Sequence, residues 1–250
     1  MKRIVLAALS LLALLALAGL AVFFLSPGTL VSLTQARAAS AAGLTAKTVT
    51  HNGETTHYYE GGEGPTILLL HGMGDEKNSF VGVAGALTSD YTVILPDLRE
   101  HGENDRDTGR DVSIAGQVGY VQSFADALGL DAFVIGGNSM GGHTSAAFAT
   151  EQPDRVRALI LVNAPGLVLD DHVVYGGFAE RPETTEDLNA IFARVLYDPP
   201  ELPGPIARHM IAQVNADFDT LNRMAETIRQ GPLHDLSDRV ETIEAPTLIF

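Results

Sequence analysis

Four short apolar runs, Thr66–Leu70, Tyr91–Leu95, Ala132–Ile135 and Val156–Val162, alternate with stretches of helical length, and no other feature constrains the fold as strongly. Runs of that length, mostly without polar alternation, suit strands covered on both faces. The intervening Lys77–Thr88, Ser113–Leu128 and Met140–Glu151 read as helices, the last closed by Pro153. Such alternation predicts an α/β fold, a mostly parallel sheet with right-handed crossovers and helices on both faces. An antiparallel pair precedes it, because Ala46–His51 and Thr55–Tyr59 flank Asn52-Gly53, a dipeptide suited to the left-handed residues of a tight hairpin. The rhythm fails from Pro165 to about Leu236. There Thr185–Leu196 and Ile206–Gln230 read as helices separated by Asp198-Pro199-Pro200 and Leu202-Pro203-Gly204-Pro205, so about 166–236 is predicted as a helical lid over the sheet's carboxyl edge. Alternation resumes at Ala245-Pro246-Thr247-Leu248-Ile249-Phe250.

The amino terminus is of another kind. Ile4–Leu25 carries no charge, and a helix of that length reaches about 33 Å, slightly more than a hydrocarbon core of about 30 Å. Residues 1–26 are therefore predicted as a membrane anchor, 27–45 as a Pro/Gly/Ser/Ala-rich linker and 46–250 as the globular domain. Lys2 and Arg3 hold the start in the cytoplasm, which places the body on the periplasmic or extracellular side. The alternative is a signal peptide cleaved near Ala36-Arg37-Ala38, giving a secreted protein.

All 31 acidic residues follow Gly53, together with 12 of the 16 basic ones, so the body carries a net −19 and is predicted to avoid nucleic acid and anionic headgroups. The absence of cysteine excludes disulfides and thiolate metal sites, and there is neither an HExxH pair nor a Walker-type glycine loop. No cofactor or metal is implied.

Gly137-Asn138-Ser139-Met140-Gly141 fits G-x-S-x-G, directly after a predicted strand and opening a predicted helix. A serine on so sharp a turn sits in strained backbone that crowds its neighbours, hence Gly137 and Gly141 on either side. Its hydroxyl then projects above the sheet with a helix amino terminus behind it. Ser139 is the candidate nucleophile. His71-Gly72-Met73-Gly74 follows the strand ending at Leu70, and Gly72 lets backbone N–H groups face the serine; an ordinary strand-to-helix turn is the alternative. The N–H groups of Met73 and Met140 are candidate oxyanion donors, their side chains pocket wall.

His71-Gly72, Asp97-Leu98-Arg99-Glu100-His101-Gly102, Gly137–Gly142 and Ala245-Pro246-Thr247-Leu248-Ile249 together resemble the α/β-hydrolase superfamily over residues 46–250. The apolar amino terminus, Gly-Asn-Ser-Met-Gly-Gly and Leu196-Tyr197-Asp198-Pro199-Pro200 with Leu202-Pro203 look most like bacterial lipases of the Moraxella type, and Gly137–His143 is also similar to meta-cleavage C–C bond hydrolases. Glu100 stands where the superfamily's loop has glycine.

The resemblance implies a Ser, acid, His triad in that chain order, with the acid after the strand that begins at Thr247 and the histidine later still, so neither is present in these residues. The domain is then expected to be incomplete, without its closing strand and helix. His143, four residues along the helix from Ser139, points away; His71 braces its turn, His101 supports structure, and His172, His209 and His234 belong to the insertion or its end. Asn163 and Ala164 occupy the strand end that bears the acid in some relatives. A serine favours acyl transfer, whereas epoxide opening and halide displacement use a carboxylate. The expected activity is cleavage of carboxylic esters of small molecules or lipids, with an apolar lid (Phe178, Ile191, Phe192, Val195, Leu196, Met210, Ile211). Alternatives are C–C hydrolysis and a non-catalytic binding protein. Oligomeric state is not set by the sequence.

Overall fold

The computed structural model describes residues 2–106, 109–167, 175–177 and 179–250, without the side chains of residues 2 and 4–8. Met1–Arg37 with Glu180–Ala216 form one compact unit and Ala38–Ala179 with Asp217–Phe250 another.

The second unit is built on a seven-stranded sheet in the order β1-β2-β4-β3-β5-β6-β7. Its strands are β1 (Leu44–His51), β2 (Glu54–Gly61), β3 (Thr66–Leu70), β4 (Thr92–Pro96), β5 (Phe133–Asn138), β6 (Val156–Val162) and β7 (Thr247–Ile249). β1 and β2 pair antiparallel with His51 opposite Glu54, and β2 runs antiparallel to β4; every other pairing is parallel. Asn52 (φ 47°) and Gly53 (φ 74°) both take the left-handed conformation that a two-residue hairpin needs.

The apolar runs alternate between two cores. Leu68, Leu70 and Ile94 join Phe124, Phe133, Phe148 and Ile135 on one side, with α4 (Ile114–Ala127) and α5 (Met140–Glu151). Ile67, Leu69, Val93 and Leu95 join Val81 and Ala84 of α3 (Val81–Leu87) on the other. This two-sided burial is why these strands read as continuous apolar runs. The stretch 77–88 is not one helix: Lys77–Phe80 is a 3₁₀ turn whose first N–H, that of Lys77, donates to Asp97 Oδ1 at 2.8 Å, and glycines at 82 and 85 weaken the helical residues beyond it. α4 starts where Ser113 accepts from the Gly116 N–H at 3.1 Å.

Residues 27–41, read from composition as a tether, are helical. α1 spans Lys2–Leu25 and α2 Pro27–Ala41. Pro27 is preorganised for a first helical turn, the alanines favour its continuation, and Ala39 and Ala42 are buried against Tyr59, Val81 and Ala84. Among the described residues no single helix is long and apolar enough to cross a membrane; Leu9–Leu25 and Pro27–Ala41 are so only as a pair, bent by 106°. The stretch read as a lid holds α6 (Thr185–Val195), opened by a reciprocal cap between Thr184 and Asp187, and α7 (Gly204–Gln230). His172 and Phe178 lie outside the described residues.

Candidate active site

β5 runs straight into α5, and Ser139 is the single residue between them, at φ 51° and ψ −120°. That conformation is strained for any side chain larger than glycine's and persists only where the surroundings over-determine it. They do so here. The Ser139 N–H donates to Val162 O at 3.0 Å and its carbonyl accepts from His143 N at 2.9 Å. The glycines show how closely the main chain is folded: a Cβ on Gly137 would lie 2.4 Å from Leu70 O, and one on Gly141 2.0 Å from the same oxygen and 2.5 Å from His71 O. Gly72 faces the serine itself, since its Cβ would stand 3.3 Å from Ser139 Cβ. Ser139 is half-buried.

The structure brings the second predicted element beside the first. After β3, the turn His71–Asp75 closes with Asp75 N–H on Gly72 O (3.2 Å), and Gly74 turns it at φ 78°. Met73 sits half-buried in this turn, one residue past the glycine that abuts Ser139. Met140 is the first residue of α5 and its side chain is fully buried. Its N–H belongs to the first helical turn, ahead of the main-chain ladder.

The histidines near this site are braces. Leu98 N–H donates to His71 Nε2 (2.9 Å), which leaves the proton on Nδ1 to donate to Gly72 O (2.8 Å). Burial pushes His71 down to about 4 and His101 to about 3; their rings stack edge to face 5.1 Å apart. His101 Nδ1 donates to Arg99 O, and its Nε2 has no protein partner among the described residues. His143 is fully buried, bonded to Tyr175 Oη and Leu233 O at 2.9 Å each, and burial lowers it to about 4. It faces packing, as its helical spacing from Ser139 predicts.

Glu100 takes φ 60°, a conformation that favours glycine; its carboxylate is buried and accepts from Arg223 Nη2 of α7 at 2.5 Å. One pairing escaped sequence reasoning. Asp97, fully buried, meets Lys77, 3% exposed, with Nζ 2.7 Å from Oδ2. A carboxylate directly after the apolar strand that ends at Pro96 is the signal that could have drawn notice. A cavity of about 230 Å³ opens elsewhere, walled in part by Glu54, Arg99, Glu100, Asn104, Arg110 and Tyr120. Ser139 does not line it, and Arg99 already holds Glu54 bidentately, so it offers no acyl site. No cluster of metal-binding side chains occurs among the described residues.

Residues 65–234 match the family described as alpha/beta hydrolase fold. Lipase 1 of Psychrobacter immobilis is 29% identical over 210 residues, covering 79% of this chain and 65% of that protein. A 2-hydroxy-6-oxo-6-phenylhexa-2,4-dienoate hydrolase of Comamonas testosteroni is 28% identical over 211 residues, 77% of this chain and 72% of that one. Among solved structures, a membrane phospholipase A described as a bacterial virulence factor superposes with a TM-score of 0.82 at 29% identity, covering 100% of this chain and 81% of that one. Against the curated relatives it matches first, from an uncharacterised Mycobacterium tuberculosis protein to the Psychrobacter lipase, the chain spans 47% to 65% of their length.

Proposed function

This chain belongs to the alpha/beta hydrolase fold family, and from that premise we propose that it cleaves carboxylic esters through an acyl-enzyme on Ser139. The observation that carries the reading is the backbone of Ser139: φ 51° between a buried strand and a helix amino terminus, with glycines wherever a side chain would collide. Ser139 Oγ adds to the ester carbonyl while a base takes its proton. The carbonyl oxygen, now negative, accepts hydrogen bonds from the Met73 and Met140 N–H groups; collapse releases the alcohol, and water then hydrolyses the acyl-enzyme. His71 and His143 have both ring nitrogens in hydrogen bonds and His101 holds Arg99 O, so none of these three is the base we assign; that role needs a histidine oriented by a carboxylate.

A lipid ester is the substrate class we favour. Leu12, Leu14 and Leu17 of α1 are each more than half exposed, and so are Val195 and Tyr197 at and beyond the end of α6. The relative that superposes on the whole chain is a membrane phospholipase A. Residues 4–25 then attach the protein to a membrane, with the body on the periplasmic or extracellular side. Treating the full-length protein with a fluorophosphonate is expected to label Ser139, and Ser139→Ala to remove both the label and turnover of p-nitrophenyl esters by roughly 10⁶-fold. Ester cleavage surviving in the alanine variant would reject the assignment. The Comamonas relative favours C–C hydrolysis of a dienoate as a second reading, and turnover of such a substrate in preference to every ester would select it.

A further inference from the structure

The turn that carries Met73 is held at both ends by one dipeptide, Asp97-Leu98, at the exit of β4. At the near end, Leu98 N–H donates to His71 Nε2 at 2.9 Å, and His71 in turn donates to Gly72 O. At the far end, Asp97 Oδ1 accepts the Lys77 N–H at 2.8 Å, while Oδ2 accepts Lys77 Nζ at 2.7 Å and the Glu103 N–H at 3.0 Å. Asp97 is itself fixed: its N–H donates to His57 O of β2 at 2.9 Å, and its carbonyl accepts from Asn104 Nδ2 and Tyr120 Oη. Gly102 leaves room for the carboxylate, since a Cβ there would fall 2.1 Å from Asp97 Cγ. Lys77 Nζ also reaches Glu103 Oε2 at 2.5 Å and lies 5.5 Å from the Tyr59 ring centre.

Stability alone does not call for such a pair, because apolar residues of similar volume in place of a buried ion pair are often neutral or better. What they lack is the directional hold on a main-chain segment. A donor aimed at a developing oxyanion must be in place before the charge appears, and a displacement of about 1 Å costs roughly 10²-fold in rate. We propose that Lys77 and Asp97 are positioning residues for ester cleavage: their ion pair, with the Leu98–His71 bond, locks the turn 71–77 so that the Met73 N–H faces the oxygen of an acyl group on Ser139. This rests on the reading of Ser139 as nucleophile and Met73 as oxyanion donor.

The test uses the full-length protein, a p-nitrophenyl ester, and an alkyl boronic acid whose serine adduct places an oxygen where the oxyanion forms. Lys77→Met is expected to lower kcat by roughly 10- to 100-fold with KM changed less than about 2-fold, and to weaken the boronic acid by the same factor as kcat. Lys77→Arg, which can still reach Asp97, is expected to recover part of both. Should Lys77→Met leave Asp97 unpaired and fail to fold, the double variant K77M/D97N, free of the buried charge, is measured instead and is expected to show the same loss per folded molecule. Unchanged kcat and boronic acid affinity in a folded variant overturn the positioning role. Failure of a fluorophosphonate to label wild-type Ser139 overturns the nucleophile reading instead, and this one with it.

Discussion

Glycines 72 and 141 touch the same small region with different tolerances. A Cβ at Gly141 meets two carbonyl oxygens of the main chain, at 2.0 and 2.5 Å, and neither can move without displacing the end of β3. Gly141→Ala is therefore expected to destabilise the protein by at least about 2–3 kcal/mol, seen as a lower urea midpoint. At Gly72 the Cβ would stand 3.3 Å from Ser139 Cβ, a contact relieved by a few tenths of an ångström. Gly72→Ala is expected to fold with a loss within about 1 kcal/mol, yet to cut ester turnover at least about tenfold by shifting the serine. Equal effects of the two substitutions on stability would contradict this division. Both glycines were legible in the sequence because the motif demands them; Glu100 was not. A glycine is expected in its place, and only the structure shows a glutamate holding φ 60° with Arg223 against its carboxylate.

Among the elements, those bounded by local chemistry were the readable ones. The hairpin at Asn52-Gly53, the Ser113 cap of α4 and the Thr184–Asp187 cap of α6 are set by residues within a few positions of each other. α2 was missed because proline, glycine and serine suggest a tether, while what fixes its end is distant: Ala39 and Ala42 packed under Tyr59. The 3₁₀ turn at 77–80 was missed for a like reason: the carboxylate that anchors its first N–H belongs to Asp97, 20 residues on. The α6 cap allows a local test. Thr184→Ala removes the hydroxyl that accepts from Asp187 N–H at 3.1 Å and is expected to cost about 1 kcal/mol within that helix. Hydrogen exchange of residues 185–195 should rise about fivefold with β3 and β5 unaffected; uniform acceleration would show that α6 does not open by itself.

For the molecule as a whole, His71, His101 and His143 are buried as neutral rings, lowered to about 4, 3 and 4 from an unfolded value near 6.5. Between those values the unfolded chain binds protons that the folded one refuses, so stability is complete above pH about 6.5 and is lost as pH falls toward 4. Each ring contributes a slope of up to about 1.4 kcal/mol per pH unit, and the three together up to about 4. Urea midpoints from pH 7.5 to 4.5 should fall steeply below 6.5; a flat profile would mean that these rings titrate normally. The α/β order, the strand sequence and the elbow could all be read from apolar runs and glycines. The relay that would activate Ser139 could not, since the histidines nearest in sequence serve the walls. Where Gly137 and Gly141 press against the carbonyls of β3's end, peptide meets peptide with no side chain between. A seam of that kind holds no side chain to shorten, so any substitution at either glycine only adds bulk against main chain and shifts the backbone that carries Ser139.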